Sequence, residues 1–274
     1  MPPVQIGEVM RASTVGEVVV SRRPGLEPGD MVMGLGGWQD YHVVGDGPMG
    51  ARKLPKELPP SWFLGALGVT GVTAYFGLLD LGEPRPGQTV LVSGAAGANG
   101  SVAGQIARVK GCRVVGIAGG AEKCRWLSEA AHFDAAIDYN AEDVSARIGE
   151  LCPGGVNIYF DHVGGPILEA ALDHLAMNAR IVMCGGISGY NDTTLAPGPR
   201  NLTNIVLMRA RMEGFIVIDY FDRMGEAISE LAGWLASGDL THHEDIQHGF
   251  DRIPATLNRL FTGQNLGKQP LELD

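Results

Sequence analysis

The feature that most limits how this chain can fold is a glycine-rich turn between an apolar strand and an amphipathic helix. The turn reads Gly94-Ala95-Ala96-Gly97-Ala98-Asn99-Gly100, directly after the apolar run Val90-Leu91-Val92-Ser93. Beyond it, Val102, Ile106 and Val109 recur on one helical face. Small residues at such a turn let backbone N–H groups approach a pyrophosphate at the positive end of the helix. The pattern therefore predicts a dinucleotide-binding unit, and a tight turn without a ligand is the alternative.

Strand-like and helix-like segments alternate from residue 61 to residue 237, which is typical of βαβ units and a parallel sheet. We predict strands at 89–93, 113–118, 135–139, 156–161, 180–184 and 215–218, and helices at 99–110, 122–131 and 222–237. Residues 1–60 and 238–274 are β-like, apart from a short helix near 254–261, so we expect the tail to rejoin the first piece. The predicted fold class is α/β, with a Rossmann-type doubly wound parallel sheet over 61–237 and a β domain built from 1–60 and 238–274.

The second strand of the unit indicates which dinucleotide is bound. An NAD site usually has an Asp or Glu about twenty residues beyond the turn, but this strand ends Gly116-Ile117-Ala118-Gly119-Gly120 and is followed by Lys123. A carboxylate there would repel a 2′-phosphate, whereas a lysine and glycine amides attract one. The sequence therefore favours NADPH over NADH. For Lys123 alone, a solvated lysine on the helix surface is an equally good interpretation.

Composition and charge argue against several other classes of protein. The net charge of −10 is unfavourable for a nucleic-acid partner, which needs a basic face. Residues 62–79 carry no charge but contain four glycines, so we expect a buried helix there and not a membrane span. The four cysteines are widely spaced and no secretory signal is visible, so we expect reduced thiols in the cytoplasm.

A metal site is not predicted. His242, His243 and Glu244 are adjacent in the sequence, but neighbouring histidines on a strand point to opposite faces and make a poor chelate. We expect a solvated polar edge at this place.

Seven ordered blocks accompany the glycine-rich turn. They are 33–41 (MGLGGWQDY), 68–78 (GVTGVTAYFGL), 122–124 (EKC), 133–139 (FDAAIDY), 159–165 (YFDHVGG), 184–191 (CGGISGYN) and 263–268 (GQNLGK). Together they run through nearly the whole chain. With these blocks the chain resembles the zinc-independent medium-chain dehydrogenase/reductases, in the branch of leukotriene B4 12-hydroxydehydrogenase, prostaglandin reductase and alkenal double-bond reductase.

The resemblance implies a GroES-like β domain beside the Rossmann domain, a homodimer, and reduction of a C=C bond in α,β-unsaturated aldehydes and ketones. NADPH would give hydride to the β-carbon of this small-molecule substrate. The residues implied around the cofactor are Gly97, Ala98, Asn99 and Gly100 at the pyrophosphate, Lys123 and Tyr139 at the 2′-phosphate, His162 at a polar contact, and Cys184, Gly185, Gly186, Ile187, Ser188, Tyr190, Phe215, Ile216, Val217 and Asn265 at the nicotinamide end. Tyr220 would polarise the enolate as a catalytic residue, and a plain aromatic at a strand end is the alternative.

Two departures from the family pattern bear on activity. Relatives usually have asparagine at the position of His162, so a polar contact to the cofactor is altered. The chain also starts partway through the family's first domain, so we expect an incomplete GroES-like domain. Two alternatives therefore stay open: an NADPH quinone reductase of the same fold, and a truncated NADPH-binding protein without turnover.

Overall fold

The computed structural model describes residues 3–45, 50–194 and 197–273. The first piece contains a small antiparallel sheet of order β1-β2-β3, with β1 (Thr14–Glu17), β2 (Met31–Gly34) and β3 (Arg52–Lys53). A 3-10 turn at Pro60–Leu64 then leads into helix α1 (Val69–Phe76), which continues as a π-helical turn over Gly77–Gly82. The uncharged stretch of the sequence, residues 62–79, runs through these elements. No helix in the described ranges is both long and apolar enough to cross a bilayer.

The centre of the molecule is a six-stranded parallel sheet. Its strands run in the order β6-β5-β4-β7-β8-β9. Their bounds are β4 (Thr89–Val92), β5 (Arg113–Ala118), β6 (Ala135–Asp138), β7 (Val156–Asp161), β8 (Leu175–Met183) and β9 (Arg211–Gly214). The inner strands are buried on both faces, which explains why they read as continuous Val- and Ile-rich runs.

Helices cover both faces of this sheet. They are α2 (Gly100–Val109), α3 (Ala121–Glu129), α4 (Val144–Leu151), α5 (Gly165–Leu172), α6 (Thr203–Leu207) and α7 (Met224–Ser237). One hydrophobic core joins the sheet to α1, α2, α3 and α7, and a second joins its other face to α4, α5 and α6. Helix α7 ends at Gly238, whose φ of 80° gives the left-handed cap that favours glycine.

The tail is mostly irregular. It contains β10 (Gln247–His248), helix α8 (Ile253–Phe261) and β11 (Leu271–Glu272). In the described ranges, β10 pairs in parallel with β11 and with no strand of the first piece. A groove of about 560 Å³ nevertheless lies between residues 7–10 and 250–254, so side chains of the tail and of the first piece face each other. The assignment of 1–60 and 238–274 to one domain stays a prediction.

The predicted fold class is confirmed, and several element boundaries match the sequence pattern. The strands at 113–118 and 156–161 agree residue for residue. The strand predicted at 215–218 is wrong: the edge strand is the more polar β9, and residues 217–223 form a 3-10 turn. The apolar run misled the prediction because Phe215 packs against Gly77 of the π-helical turn instead of continuing the sheet. Helices α4, α5 and α6 were not predicted from the sequence.

Candidate functional site

The glycine-rich turn lies where the order of the strands reverses. β4 and β7 are neighbours at the centre of the sheet. β5 and β6 lie in that order beyond β4, and β8 and β9 lie in that order beyond β7. Val92 pairs with Phe160, so the segments that follow β4 and β7 leave the sheet side by side at its carboxyl edge. This switch point is where open α/β sheets bind ligands.

The turn itself is built for close backbone approach. Gly94 has a φ of +56°, and a Cβ on Gly100 would lie 2.5 Å from the Gly94 carbonyl oxygen. Within the described residues, the N–H groups of Ala98 and Asn99 donate to no acceptor. Helix α2 begins directly after them and adds the partial positive charge of its N-terminus. The turn can therefore hold an anion such as a pyrophosphate.

Residues 265–267 of the C-terminal tail pack against this turn. The Gly267 N–H donates to the Ala96 carbonyl oxygen at 2.8 Å, and Gly267 bridges to Gly97 in parallel. Gly267 has a φ of +65°, and a Cβ there would lie 2.2 Å from the His243 carbonyl oxygen. The side chain of Asn265 donates to the Gly267 carbonyl oxygen at 3.2 Å. Asn265 is thus placed beside the turn, although 165 residues separate it from Gly100.

Lys123 and Tyr139 meet on the side of the turn formed by β5 and β6. The Lys123 Nζ donates to the Gly263 carbonyl oxygen at 2.7 Å, and the Tyr139 ring lies against Gly119. A Cβ on Gly263 would lie 3.6 Å from the Tyr139 hydroxyl and 3.9 Å from the Lys123 Nζ. Burial lowers the pKa of Lys123, and the carboxylates of Asp245 and Glu122 oppose that shift. The lysine is therefore partly desolvated and not a free surface side chain.

An acidic side chain that the sequence prediction overlooked lies next to this pair. Asp138 ends β6, and its Oδ1 accepts hydrogen bonds from the N–H groups of Gly120 at 2.8 Å and Asn140 at 3.0 Å. The N–H of Gly120, before α3, is therefore already occupied. Lys123 and the Tyr139 hydroxyl are the other groups on this side that can donate to a phosphate.

A second overlooked carboxylate organises the segment after β7. Asp161 is fully buried, and its Oδ1 accepts hydrogen bonds from the Ser93 hydroxyl at 2.7 Å, the Tyr159 hydroxyl at 2.8 Å and the Val163 N–H at 3.0 Å. The Ser93 oxygen in turn accepts the His162 N–H at 2.8 Å. This network ties β4 to β7 at the switch point. A buried aspartate directly before the HVGG segment was the available sequence signal.

His162, Asn99 and Cys184 converge on the other side of the turn, at the ends of β7 and β8. The Asn99 Nδ2 lies 3.6 Å from the Cys184 Sγ, and the His162 ring is tilted against Phe160 with ring centroids 5.0 Å apart. Burial lowers the pKa of His162 to about 4, against the opposing charge of Asp161. Burial also raises the pKa of the Cys184 thiol to about 12. At neutral pH the histidine is uncharged and the cysteine is a thiol.

The segment from Gly185 to Tyr190 is fastened to the residues after β7. The Ile187 N–H donates to the His162 carbonyl oxygen at 3.1 Å, and the Ser188 hydroxyl donates to the Val163 carbonyl oxygen at 2.6 Å. The Tyr190 hydroxyl accepts the Gly186 N–H at 3.2 Å. A Cβ on Gly185 would lie 3.0 Å from that hydroxyl. The predicted block therefore forms one wall beside His162.

Phe215, Ile216, Val217 and Tyr220 lie farther along the same edge. Phe215 packs on Gly77, Ile216 is exposed, and the Tyr220 ring stacks on Phe76 with centroids 4.6 Å apart. In the described part of the chain, Tyr220 makes its ring contacts with Phe76 and Phe215 and none with the glycine-rich turn. Burial raises the pKa of Tyr220, and the Asp80 carboxylate adds to the shift, so the phenol stays protonated at neutral pH.

Two buried polar atoms test whether a dinucleotide fits here. The Asn99 Oδ1 and the His162 Nε2 have no hydrogen-bond partner in the described structure. Buried polar atoms are normally paired, so such atoms beside an anion-binding turn fit a ligand with donors and acceptors. The candidate residues for the 2′-phosphate, for the pyrophosphate and for the other half of the molecule lie in that order along one edge, after β5 and β6, after β4, and after β7 and β8. The charged and polar groups at this edge fit the phosphates and the polar groups of NADPH.

His242 differs from the sequence expectation. Its side chain is 12% exposed, packs edge-on against Trp62 with centroids 5.1 Å apart, and lies 3.4 Å from the Glu244 carboxylate. The prediction of a solvated polar edge is therefore wrong here, because residues 242–244 fold over the 3-10 turn before α1. Across 3–45, 50–194 and 197–273, no three His, Cys, Asp or Glu side chains are grouped so that they could hold a metal ion.

Comparison with known proteins places the chain in a family. Residues 98–233 match the model described as "Zinc-binding dehydrogenase", and residues 1–52 match "N-terminal domain of oxidoreductase". The chain is 43% identical to the NADPH-dependent curcumin reductase of Escherichia coli, over 97% of this chain and 79% of that protein. It is 38% identical to the NADP⁺-dependent 2-alkenal reductase of Nicotiana tabacum, over 93% of this chain and 74% of that protein.

A solved structure agrees with these matches. CurA from Vibrio vulnificus in complex with NADPH superposes with a TM-score of 0.94 at 40% identity, covering all of this chain and 82% of CurA. The similarity extends through both the parallel sheet and the small antiparallel sheet. The switch-point turn, the ordered blocks and these matches agree, and the chain belongs to the zinc-independent medium-chain dehydrogenase/reductase family.

Proposed function

We propose that this chain uses NADPH to reduce the C=C bond of α,β-unsaturated aldehydes and ketones, with hydride added to the β-carbon. The observation that carries the choice of cofactor is the meeting of Lys123 and Tyr139 around Gly263, beside a strand that ends without a carboxylate. The substrate class is supported by the activities named for the similar curcumin reductase and 2-alkenal reductase.

The residues of the site have distinct proposed roles. The N–H groups of Ala98 and Asn99 bind the pyrophosphate at the start of α2, because they have no other acceptor in the described chain. Lys123 and the Tyr139 hydroxyl bind the 2′-phosphate through charge-assisted hydrogen bonds. The wall from Cys184 to Tyr190, together with Phe215 to Val217 and Asn265, encloses the nicotinamide end and limits the entry of water.

NADPH supplies the hydride, and the protein orients the reactants and stabilises the oxygen that becomes negatively charged. Tyr220 is the proposed donor to that oxygen. Its phenol is held protonated by burial and by Asp80, and its hydroxyl has no hydrogen-bond partner in the described structure. The stacked Phe76 and the edge-on Phe215 fix the direction of the ring.

The reaction is tested by following NADPH oxidation with a panel of substrates. The panel contains alkenals, enones, quinones and the matching saturated carbonyl compounds. We expect turnover with alkenals and enones, with product reduced at the C=C bond, and none with the saturated compounds. Turnover with quinones alone would favour the quinone reductase alternative. Tight NADPH binding without turnover of any compound in the panel would refute the proposed reductase activity.

The cofactor assignment is tested by Lys123→Ala. Loss of a charge-assisted contact to a phosphate costs about 1.5–3 kcal/mol, so NADPH should bind about 10- to 150-fold more weakly, with little change for NADH. Calorimetry or fluorescence titration measures both dissociation constants. Arg125→Ala is the matched control, since Arg125 is an exposed cation on the same helix. Equal losses for NADPH and NADH in Lys123→Ala would contradict the assignment.

Two further sequence predictions concern assembly and location. The homodimer and the cytoplasmic location are expectations from the resemblance and from the cysteines. Both stay predictions. Sedimentation of the purified chain and fractionation of its host cells would test them.

A further inference from the structure

Arg223 connects three elements next to Tyr220. It is the last residue of the 3-10 turn at 217–223, which carries Tyr220. Its Nη1 donates to the Asp80 carboxylate in the π-helical turn after α1. Its Nε and Nη2 donate to the two carboxylate oxygens of Glu226 in α7, at 3.1 Å each. Two carboxylates from separate segments therefore hold the planar guanidinium group in one orientation.

The same side chain packs on the aromatic ring that supports Tyr220. The Arg223 Cζ lies 4.7 Å from the centroid of the Phe76 ring, and the Tyr220 ring stacks on Phe76 with centroids 4.6 Å apart. Phe76 is fully buried at the end of α1, so the core fixes its position. Tyr220 is only half-buried. The direction of the Tyr220 hydroxyl therefore depends on how the 3-10 turn is held against Phe76.

The turn at 217–223 has little else to hold it. A 3-10 turn of seven residues is longer than usual, and its hydrogen bonds have poor geometry. None of its seven residues is buried, and Ile218 and Phe221 are exposed. Apolar burial and local hydrogen bonds are thus both weak here. The ion pairs of Arg223 provide the connection to the π-helical turn and to α7 that the turn otherwise lacks.

The charge of Arg223 also favours hydrogen-bond donation by Tyr220. Burial and the Asp80 carboxylate raise the pKa of Tyr220, and the Arg223 cation opposes them. A phenol near a cation is a better donor to an oxygen that becomes negatively charged. The position and the charge of Arg223 therefore act in the same direction on the Tyr220 hydroxyl.

We propose that Arg223, held by Asp80 and Glu226, is a positioning residue for the reduction: it fixes the turn so that the Tyr220 hydroxyl points at the carbonyl oxygen of the enone. This inference rests on the proposed function. It assigns to Arg223 no contact with the substrate or with NADPH. The alternative is an ordinary surface ion pair, which contributes little to any property of a protein.

A double-mutant cycle distinguishes the two. We expect Arg223→Gln to lower kcat for an enone about 10-fold, because a misdirected donor is a poor catalyst, and to leave the dissociation constant of NADPH unchanged. In the Tyr220→Phe background the same substitution should change kcat less than about twofold, since no hydroxyl remains to be positioned. General damage to the fold would instead lower kcat by the same factor in both backgrounds.

A second variant and a second measurement test the connection itself. Asp80→Ala removes the partner in the π-helical turn, and it should lower kcat in the same way as Arg223→Gln. Amide hydrogen exchange of the cofactor-free protein reports the turn directly. We expect faster exchange at 217–223 in both variants and unchanged exchange in the strands of the parallel sheet.

Arg147 provides a matched control. It also pairs with two carboxylates, those of Glu142, at 2.7 Å, and Glu150, and it lies on α4, on the other face of the sheet. We expect Arg147→Gln to leave kcat and the dissociation constant of NADPH unchanged. A loss of kcat equal to that in Arg223→Gln would count against a specific role for Arg223.

Two further results would overturn the proposal. One is an unchanged kcat in both Arg223→Gln and Asp80→Ala, and the other is an equal loss with and without the Tyr220 hydroxyl. A parent protein that does not oxidise NADPH with any enone would instead refute the proposed function. A parent that does so, with the same kcat in Tyr220→Phe, would refute Tyr220 as the donor and this inference with it.

Discussion

His162 should make the stability of the cofactor-free protein sensitive to acid. Burial lowers its pKa from 6.5 to about 4, so the folded state binds a proton at this ring only well below pH 6. The unfolded chain takes up the proton near pH 6.5. The contribution of His162 to the free energy of unfolding is therefore fully present above pH 6.5, and it is lost as the pH falls towards 4.

The size of this effect follows from the two pKa values. At pH 4.5 the unfolded histidine is almost fully protonated, whereas the folded one is mostly neutral. One pKa unit corresponds to about 1.4 kcal/mol, which gives a loss of about 2.5 kcal/mol between pH 7 and pH 4.5. This is a sizeable part of the stability of an ordinary domain, which is about 5–15 kcal/mol.

The assay is urea unfolding of the cofactor-free protein at several pH values from 7 to 4.5. The parent should lose about 2.5 kcal/mol more over this range than His162→Asn or His162→Phe, which carry no titrating ring. The two variants can differ from each other at pH 7, but their pH dependence should agree. A parent and variants with the same pH dependence would refute the assignment of a buried, neutral imidazole at this position.

Two further predictions concern the turn and the proposed hydrogen-bond donor. Gly100→Ala would place a Cβ 2.5 Å from the Gly94 carbonyl oxygen, so we expect weaker NADPH binding by calorimetry and a lower free energy of unfolding. In the control Gly233→Ala, on the exposed face of α7 where a Cβ meets nothing within 4 Å, the free energy of unfolding should rise by about 0.5–1 kcal/mol. An unchanged free energy of unfolding in Gly100→Ala, or a lower one in Gly233→Ala, would contradict the geometry of these glycines. Tyr220→Phe should lower kcat for an enone about 100-fold, with NADPH affinity unchanged, and an unaltered kcat would remove Tyr220 from the mechanism.

Much of the architecture could be predicted from local sequence. The apolar runs of β5 and β7, the glycine-rich turn and the amphipathic α2 each have a period or composition that specifies their conformation over a few residues. The same local reading failed at 215–218. There Phe215 packs against Gly77 of the π-helical turn, and an edge strand of four mostly polar residues carries the sheet pairing instead.

The site was only partly visible from the sequence. The turn, Lys123 and Tyr139 were found because each belongs to a motif. Their hydrogen-bond partners were not found, because those partners are distant in the sequence. Lys123, for example, donates to Gly263, 140 residues further along the chain. Asp161 was missed as the centre of a network because its partner Ser93 lies 68 residues earlier.

The sequence by itself determined that this protein is a doubly wound α/β chain with a dinucleotide turn, because strand period, helical period and glycine conformation depend on neighbours a few residues away. Only the tertiary structure decided which polar groups are paired at that turn. Asn99, His162 and Cys184 come from three separate segments, and their burial depends on how β4, β7 and β8 are ordered in the sheet. Burial and hydrogen-bond pairing depend on residues distant in sequence, so no local pattern could have indicated that the Asn99 Oδ1 and the His162 Nε2 are buried without a partner.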